Sequence, residues 1–261
     1  MDTRWGSGLS GEDRLLLARV EDALRYAGRR YEPKIIGFFD RHMQTAAQSL
    51  LAGPAAAGEC RALFWGGYED AERKMLGIFP PYEEPAGEDF PIAALRAEWK
   101  FETLTHRDFL GALLGLGFKR EKIGDILVSP DACACTVLAD RAVADYILAN
   151  LEKVGRTGVR VVRADLTGIV REDRFATLRD TVASARADCV VSALVSGSRG
   201  EAQKLIAEGF VSLDFETVSD PSKKVCDGAT VSIRGHGRFL IDRVGPPTRK
   251  GRLVLEARKY L

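Results

Sequence analysis

The sequence predicts an α+β protein of three units: a mixed α/β N-terminal unit (residues 1–85), a ferredoxin-like, RRM-like β-α-β-β-α-β middle domain (86–170) and a C-terminal unit of two helices with a small β-structure (171–261). Its 261 residues exceed one ordinary domain of about 100–150 residues. With 46% hydrophobic and 29% charged residues, the chain can bury large cores, which excludes wholesale disorder. Residues 80–91, PPYEEPAGEDFP, interrupt every period and predict a linker or long loop.

The N-terminal unit begins with two predicted helices. Residues 12–30 carry an apolar stripe through Leu16, Val20 and Leu24, and residues 38–51 form the second helical segment. RALFWGG and KMLGIF then predict two short strands around the polar turn at residues 68–73. The unit is therefore expected to mix helices and strands.

The middle unit alternates strand and helix signals. FPIAALRAEWKF is a strand candidate, and Thr105 precedes a predicted helix as its N-cap, with Asp108 at the third position. KREKIGDI predicts a short helical turn, and LVSPDACACTVL a hairpin bent at Pro130 and Asp131. Asp140 caps a second helix, and GVRVVRAD is the last strand. The second helix is expected to stop at Gly155, with its stripe formed by Val143, Ile147, Leu151 and Val154. This order is the split βαβ plan, which hosts RNA-recognition modules, enzymes and regulatory domains alike.

The C-terminal unit carries the basic charge of the chain. Residues 174–261 hold 15 Lys/Arg against 10 Asp/Glu, a net +5, while residues 1–173 hold 23 against 27, a net −4. Such an excess can bind polyanions, although a solvated charged face explains it equally well. Val190, Val191 and Leu194 mark a short helix, and Ser198 with Glu201 forms a capping box that opens a second.

Several classes of function are excluded or disfavoured by missing features. No apolar run approaches the length of a membrane span and the N-terminus lacks a secretion signal, so we expect a cytoplasmic protein with no membrane attachment. We also expect a monomer. The five scattered cysteines indicate reduced thiols. Cys133 and Cys135 alternate on one strand and are expected to be small buried side chains, because a zinc site would lack further ligands. No dinucleotide or Walker motif occurs, so no cofactor and no metal are expected.

The C-terminal unit resembles the S-four RNA-binding domain. The matching pattern is Arg186 with Asp188, Ser198-Arg199, Gly209 before a Val strand, Asp220-Pro221-Ser222 and Asp227-Gly228. Two positions depart from it: Ala187 replaces the usual Leu, and Asp214 replaces a common Asn, which places a carboxylate near the expected RNA surface.

From about residue 60 onwards, nearly the whole chain resembles the YlmH family of bacterial RNA-binding proteins, whose members end in an S-four domain. The likeness is carried by GGYEDAERK (66–74), LTHRDFLGALLGLGFKREKIGDILV (104–128) and RGHGRF (234–239). The resemblance implies ribosome-associated binding of rRNA or tRNA, at the large subunit, with a role in quality control of stalled translation.

The candidate RNA-binding residues combine cations with a helix N-terminus, which favours phosphate. Each has a structural alternative as a solvated side chain, a helix cap or a glycine-rich turn. The candidates are Arg186, Ser198, Arg199, Lys204, Lys223, Lys224, Arg234, His236 and Arg238, with a possible second patch of Arg107, Lys119, Arg120 and Lys122.

We expect no catalysis, and therefore no catalytic residues. The alternative is an RNA-modifying enzyme of the pseudouridine-synthase type that uses an S-four domain for targeting. Such an enzyme needs a larger catalytic domain and a Gly-Arg-Leu-Asp type of motif, and the sequence contains neither. The prediction is a non-catalytic RNA-binding protein of the translation machinery.

Overall fold

The computed structural model describes residues 11–53, 60–129, 133–169 and 175–260 and divides the chain into two compact units. Unit 1 (Met1–Glu172) contains both the N-terminal and the middle segments, and unit 2 (Asp173–Leu261) contains the basic segment. The helices and strands of unit 1 are α1 (Gly11–Arg30), β1 (Lys34–Phe39), α2 (Arg41–Leu51), β2 (Arg61–Trp65), β3 (Lys74–Phe79), β4 (Ile92–Glu98), α3 (His106–Gly115), β5 (Ile123–Val128), β6 (Ala134–Asp140), α4 (Arg141–Asn150), β7 (Lys153–Val154), β8 (Thr157–Gly158) and β9 (Arg160–Ala164).

The N-terminal segment forms a three-stranded antiparallel sheet in the order β1-β3-β2, packed against α1 and α2. The two strands predicted from RALFWGG and KMLGIF are confirmed as β2 and β3. The helix predicted over residues 38–51 is wrong at its start, because Phe38 and Phe39 end β1. Asp40 then caps α2, its carboxylate accepting a hydrogen bond from the Met43 amide at 2.9 Å. The cap fixes where the strand stops and the helix begins.

The middle segment has the predicted ferredoxin-like plan. Its four strands lie in the order β5-β6-β4-β9 with antiparallel neighbours. Both helices start at their predicted caps: Thr105 and Asp108 form a capping box at α3, and the Asp140 side chain accepts from the Ala142 amide at α4. The two helices share one hydrophobic core with one face of the sheet.

Three further predictions for this segment have different outcomes. Helix α4 ends at Asn150, so Val154 does not extend its stripe; it lies buried in the small β7–β8 hairpin, which takes the chain away from the helix axis. KREKIGDI contains a single 3₁₀ turn, Arg120–Lys122, before β5 begins. The predicted bend at Pro130 and Asp131 lies outside the described residues, although β5 and β6 pair on either side of it.

The opposite face of the middle sheet is covered by the N-terminal segment. Ile92, Ala94 and Leu138 of the sheet share a core with Phe38 and Phe79. Single-stranded RNA is read on the open sheet face of RNA-recognition modules. Here that face is inside the protein, so the shared topology does not supply that mode of binding.

A buried carboxylate joins the two segments of unit 1. Asp125, 6% exposed, accepts hydrogen bonds from the Tyr68 hydroxyl (2.6 Å) and from the amides of Glu72 (2.7 Å) and Arg73 (2.9 Å). The Arg73 guanidinium in turn donates to the carbonyl of Phe38, and burial lowers the pKa of Arg73. The GGYEDAERK motif is thus used for packing inside unit 1.

The prediction that Cys133 and Cys135 are both buried is confirmed for Cys135 and wrong for Cys133. Cys135 is buried in β6, and burial raises the pKa of its thiol. Cys133 is exposed, because β6 begins at Ala134 and the residue before it lies in the turn rather than in the strand alternation. All five cysteines carry thiols, with no disulfide between them.

Unit 2 is a six-stranded antiparallel sheet with two helices on one face. Its order is β10-β15-β14-β13-β11-β12. Both predicted helices are confirmed, and the long strands at one side of the sheet were not predicted. The elements are β10 (Phe175–Val182), α5 (Ala187–Leu194), α6 (Arg199–Ala207), β11 (Val211–Leu213), β12 (Glu216–Thr217), β13 (Thr230–Ile233), β14 (Gly237–Pro247) and β15 (Leu253–Tyr260).

Candidate nucleic-acid interface

A buried carboxylate organises the start of both helices of unit 2. Asp188, in the first turn of α5, is 0% exposed. Its oxygens accept hydrogen bonds from Nε and Nη2 of Arg186 (both 3.1 Å) and from Nε (2.9 Å) and Nη2 (2.8 Å) of Arg199, and Gln203 donates from its amide at 3.1 Å. We call Asp188, Arg186, Arg199 and Gln203 the Asp188 clamp. It ties the chain before α5 to the first turns of α6.

The electrostatics of the clamp favour the charged carboxylate. Burial by itself would raise the pKa of Asp188, but the hydrogen bonds from Arg186, Gln203 and Arg199 outweigh it and hold that pKa far below the usual range. The hydrogen bonds to Asp188 likewise raise the pKa of Arg186. The arginine side chains stay 38% and 55% exposed, and Nη1 of each lies outside these bonds. The clamp therefore presents two oriented guanidinium groups at the surface.

The clamp is a feature that sequence reasoning missed. The sequence pointed to Arg186 and Arg199 as separate candidate cations, each with a solvated side chain as the alternative. The available signal was Asp188 itself, a lone acid in the apolar run ADCVVSAL. A charged residue on a buried helix face needs a partner, and here two arginines provide it.

The segment that carries Lys223 and Lys224 is docked against the start of α5. The Ala187 amide donates to the carbonyl of Lys223 at 2.8 Å, and Arg186 forms an isolated β-bridge with Lys224. The Lys223 ammonium lies 3.3 Å from the carboxylate of Glu216, while Lys224 is exposed. These contacts bring Arg186, Lys223 and Lys224 together.

Helix α6 begins with the predicted cap. The Ser198 hydroxyl accepts from the Glu201 amide at 3.1 Å. Lys204, one turn further, is 75% exposed and lies 3.9 Å from Glu208, its partner four residues on. Exposed pairs of this kind contribute little to stability, so Lys204 is held loosely.

Two arginines flank the glycine-rich turn between β13 and β14. Gly235 and Gly237 have φ of +85° and +107°, a region that side chains other than glycine rarely adopt, so the turn depends on glycine. His236 lies between them, and its amide donates to the Ile233 carbonyl. The guanidinium carbons lie 5.1 Å (Arg234) and 5.6 Å (Arg238) from the ring centroids of Phe210 and Phe215, respectively.

Asp214, the departure from the S-four pattern, has a local structural role. Asp214 and Phe215 form the turn between β11 and β12 with φ of +49° and +70°. The Asp214 side chain accepts from the Thr230 amide at 2.8 Å. Aspartate tolerates this backbone conformation better than most residues. Its carboxylate also holds the turn against the start of β13, so Asp214 stabilises the hairpin.

The proposed second patch in unit 1 is not a set of equivalent surface cations. The Arg120 guanidinium donates to the Ile123 carbonyl at 2.7 Å, and burial, followed by the neighbouring Arg73, lowers the pKa of Arg120 to about 10. Lys122 forms an ion pair with Asp140 at 2.5 Å. Arg107 and Lys119 are exposed. Arg120 and Lys122 are instead engaged with neighbouring groups of unit 1.

Other kinds of site are not evident. Within the described ranges, no group of three or more His, Cys, Asp or Glu side chains could hold a metal ion. The same part of the chain has no helix both long and apolar enough to cross a lipid bilayer.

Comparisons with known proteins match one family model within unit 1 and another within unit 2. The family model described as "Putative RNA-binding domain in YlmH" matches residues 85–168, and that of the S4 (S-four) domain matches residues 186–231. The chain is 34% identical over 253 residues to "Ribosome-associated protein quality control protein P2" of Bacillus subtilis (strain 168), covering 95% of this chain and 96% of the relative. It also matches the solved structure of "Cell division protein ylmH from Streptococcus pneumoniae", with a TM-score of 0.51 and 24% identity over 63% of this chain and 98% of that one.

Proposed function

Since the chain belongs to the YlmH family, we propose that it is a non-catalytic RNA-binding protein of the translation machinery. It binds rRNA or tRNA on the large ribosomal subunit and takes part in quality control of stalled translation. The similarity to the Bacillus subtilis relative, which is named for ribosome-associated quality control, extends over nearly all of both chains. That similarity supports the ribosomal context.

The observation that carries the proposal is the Asp188 clamp. Two guanidinium groups converge on one buried carboxylate, so their planes are fixed before any ligand arrives. Pre-organised arginines lose less conformational entropy when they bind phosphate oxygens. Lys223 and Lys224 extend the same positive region, and Lys204 adds an exposed cation on α6. RNA helices are bound through such phosphate and 2′-hydroxyl contacts.

The proposal includes the absence of catalysis and of a cofactor. The described histidines lie on separate elements: His42 in α2, His106 at the start of α3 and His236 in the turn of unit 2. Binding through cations and amide N–H groups requires neither a general base nor a metal ion. In this proposal the protein acts as a monomer in the cytoplasm, where the ribosomes are.

Sedimentation with ribosomal particles tests this function. Purified full-length protein should co-sediment with large subunits in a sucrose gradient at low salt and should be released at high salt, because bound phosphates take up counterions again. Recovered RNA should have unchanged nucleosides by chromatography and mass spectrometry. Protein found only in the free fraction would contradict the ribosomal partner, and newly formed pseudouridine would contradict the absence of catalysis.

A further inference from the structure

The sheet of unit 2 has a second face, away from the helices, that carries aromatic rings and arginines. Along β15, Leu255 and Ala257 are 0% exposed in the core, and the residues that alternate with them point to the other side. Arg258 and Tyr260 are two of these residues. We call this side the outer face and define it by Phe175, Phe215, Arg238, Arg258 and Tyr260.

The side chains of the outer face form a continuous row across the strands. Phe175 of β10 pairs directly with Tyr260 of β15, and their ring centroids are 4.7 Å apart. The guanidinium carbon of Arg258 lies 4.6 Å from the Phe175 centroid. That of Arg238 lies 5.8 Å from Tyr260 and 5.6 Å from Phe215. The contacts thus run in the order Arg258, Phe175, Tyr260, Arg238 and Phe215, from β10 and β15 to the β11–β12 hairpin.

The charge of the outer face is positive, and its arginines are held in place. Asp242 accepts from Nε and Nη2 of Arg258 at 3.0 and 2.8 Å, which fixes that guanidinium and raises the pKa of Arg258. Glu256 pairs with Arg179 and lies opposite Arg243. Two carboxylates therefore stand among four arginines, namely Arg179, Arg238, Arg243 and Arg258.

We propose that the outer face is a stacking surface for unpaired bases of single-stranded RNA. Nucleobases stack on aromatic rings and on guanidinium planes without sequence preference, and arginines beside them contact the phosphates. The inference rests on the proposed RNA-binding function and goes beyond it, because this surface is separate from the Asp188 clamp. Strands β10, β14 and β15, which carry most of the outer face, lie outside residues 186–231, which the S-four model matches.

The positive charge favours RNA over a protein as the occupant. Four arginines against two carboxylates give this face a net positive charge, which complements the phosphates of RNA, and Arg238 and Arg258 lie beside the rings. The corresponding face of the middle sheet is covered by packing within unit 1. In unit 2, the five side chains that define the outer face are half-buried, so each keeps part of its surface exposed.

Binding of a 12-nucleotide single-stranded RNA and of an RNA hairpin of equal charge, both fluorescein-labelled, tests the proposal. In the full-length protein, Phe175→Leu with Tyr260→Leu removes both rings and keeps apolar side chains. We expect at least a tenfold loss of affinity for the single strand, a much smaller loss for the hairpin, and an unchanged slope of affinity against salt, because no charge is removed. Tyr260→Phe should retain binding, and Tyr146→Leu, which removes a 52% exposed ring of unit 1, is the matched control.

The outcomes separate this inference from the proposed function. Unchanged single-strand affinity in the folded double variant would overturn the stacking surface while leaving RNA binding intact. Failure of the unaltered protein to bind either RNA would instead contradict the proposed function. A double variant that binds RNA normally but leaves ribosomal particles would show that the outer face contacts protein, which also overturns the inference. Circular dichroism checks folding, and ultraviolet crosslinking should attach RNA to peptides with Phe175 or Tyr260.

Discussion

Replacing Asp188 with Asn tests whether the clamp holds unit 2 together. The substitution keeps the shape of the side chain but removes the charge that two arginines and Gln203 share. Removing one partner of a buried ion pair costs about 3–5 kcal/mol. Arg186 and Arg199 are 38% and 55% exposed, so water still solvates part of each guanidinium when the carboxylate is lost. We therefore expect a smaller loss of stability, about 2–3 kcal/mol. For a domain of this size the unfolding midpoint should fall by about 10 °C or more.

The assay must report on unit 2 alone. Unit 2 contains no tryptophan, and Trp65 and Trp99 lie in the described part of unit 1, so tryptophan fluorescence does not report on unit 2. Hydrogen exchange of unit 2 peptides, measured by mass spectrometry during unfolding, should show the loss, while the tryptophan transition stays in place. Glu216→Gln, at a 68% exposed carboxylate that pairs with Lys223, is the matched control with little expected change.

The effect of Asp188→Asn should also depend on pH in a defined direction. Because the folded pKa of Asp188 is depressed, its contribution to stability is present above the unfolded value of about 3.9 and is lost as the pH falls below it. The difference between the unaltered protein and the variant should therefore be largest near pH 6 and should shrink towards pH 2. A variant as stable as Glu216→Gln at pH 6 would refute the role of the clamp.

Three further results are expected. Asp125→Ala removes the acceptor of three hydrogen bonds that join the segments of unit 1. The free energy of unfolding of unit 1, followed by tryptophan fluorescence, should fall by about 3 kcal/mol or more. An unchanged free energy would contradict this role of Asp125. Lys204→Ala with Lys224→Ala should weaken RNA binding and reduce the slope of log affinity against log salt by about 1–2, and an unchanged slope would place the phosphate contacts elsewhere. Iodoacetamide should alkylate Cys133 much faster than Cys135, whose pKa is raised by burial, as peptide mass spectrometry would measure; equal rates would contradict the described burial.

Features that depend on neighbouring residues could be read from the sequence. The caps of α3 and α6 each act within one turn of helix. The capping box of Thr105 with Asp108 is confirmed, and of the box predicted for Ser198 with Glu201 the structure shows the hydrogen bond from the Glu201 amide to the Ser198 hydroxyl. The ferredoxin-like order also follows from local periods joined by short connections. Local chemistry therefore located most helices of both units.

Features that depend on distant residues could not be read from the sequence. Strand β1 ends with Phe38 and Phe39, a short apolar run that suits helix and strand equally until β3 pairs with it. Strands β10 and β15 are far apart in the sequence, and each carries two adjacent charged residues, Arg179-Asp180 and Arg258-Lys259, which interrupt an alternating apolar pattern. Arg199 meets Asp188 across 11 residues only when α5 and α6 dock. Tertiary packing decided each of these.

Crosslinking the protein to cellular RNA and sequencing the attached fragments tests the central claim most directly. The account predicts that rRNA of the large subunit, or tRNA bound to it, is enriched over total RNA. It also predicts that Lys204→Ala with Lys224→Ala reduces this enrichment while the protein level stays unchanged. Fragments spread over cellular RNA in proportion to abundance, with no difference between the unaltered protein and the double variant, would contradict a ribosomal RNA-binding function.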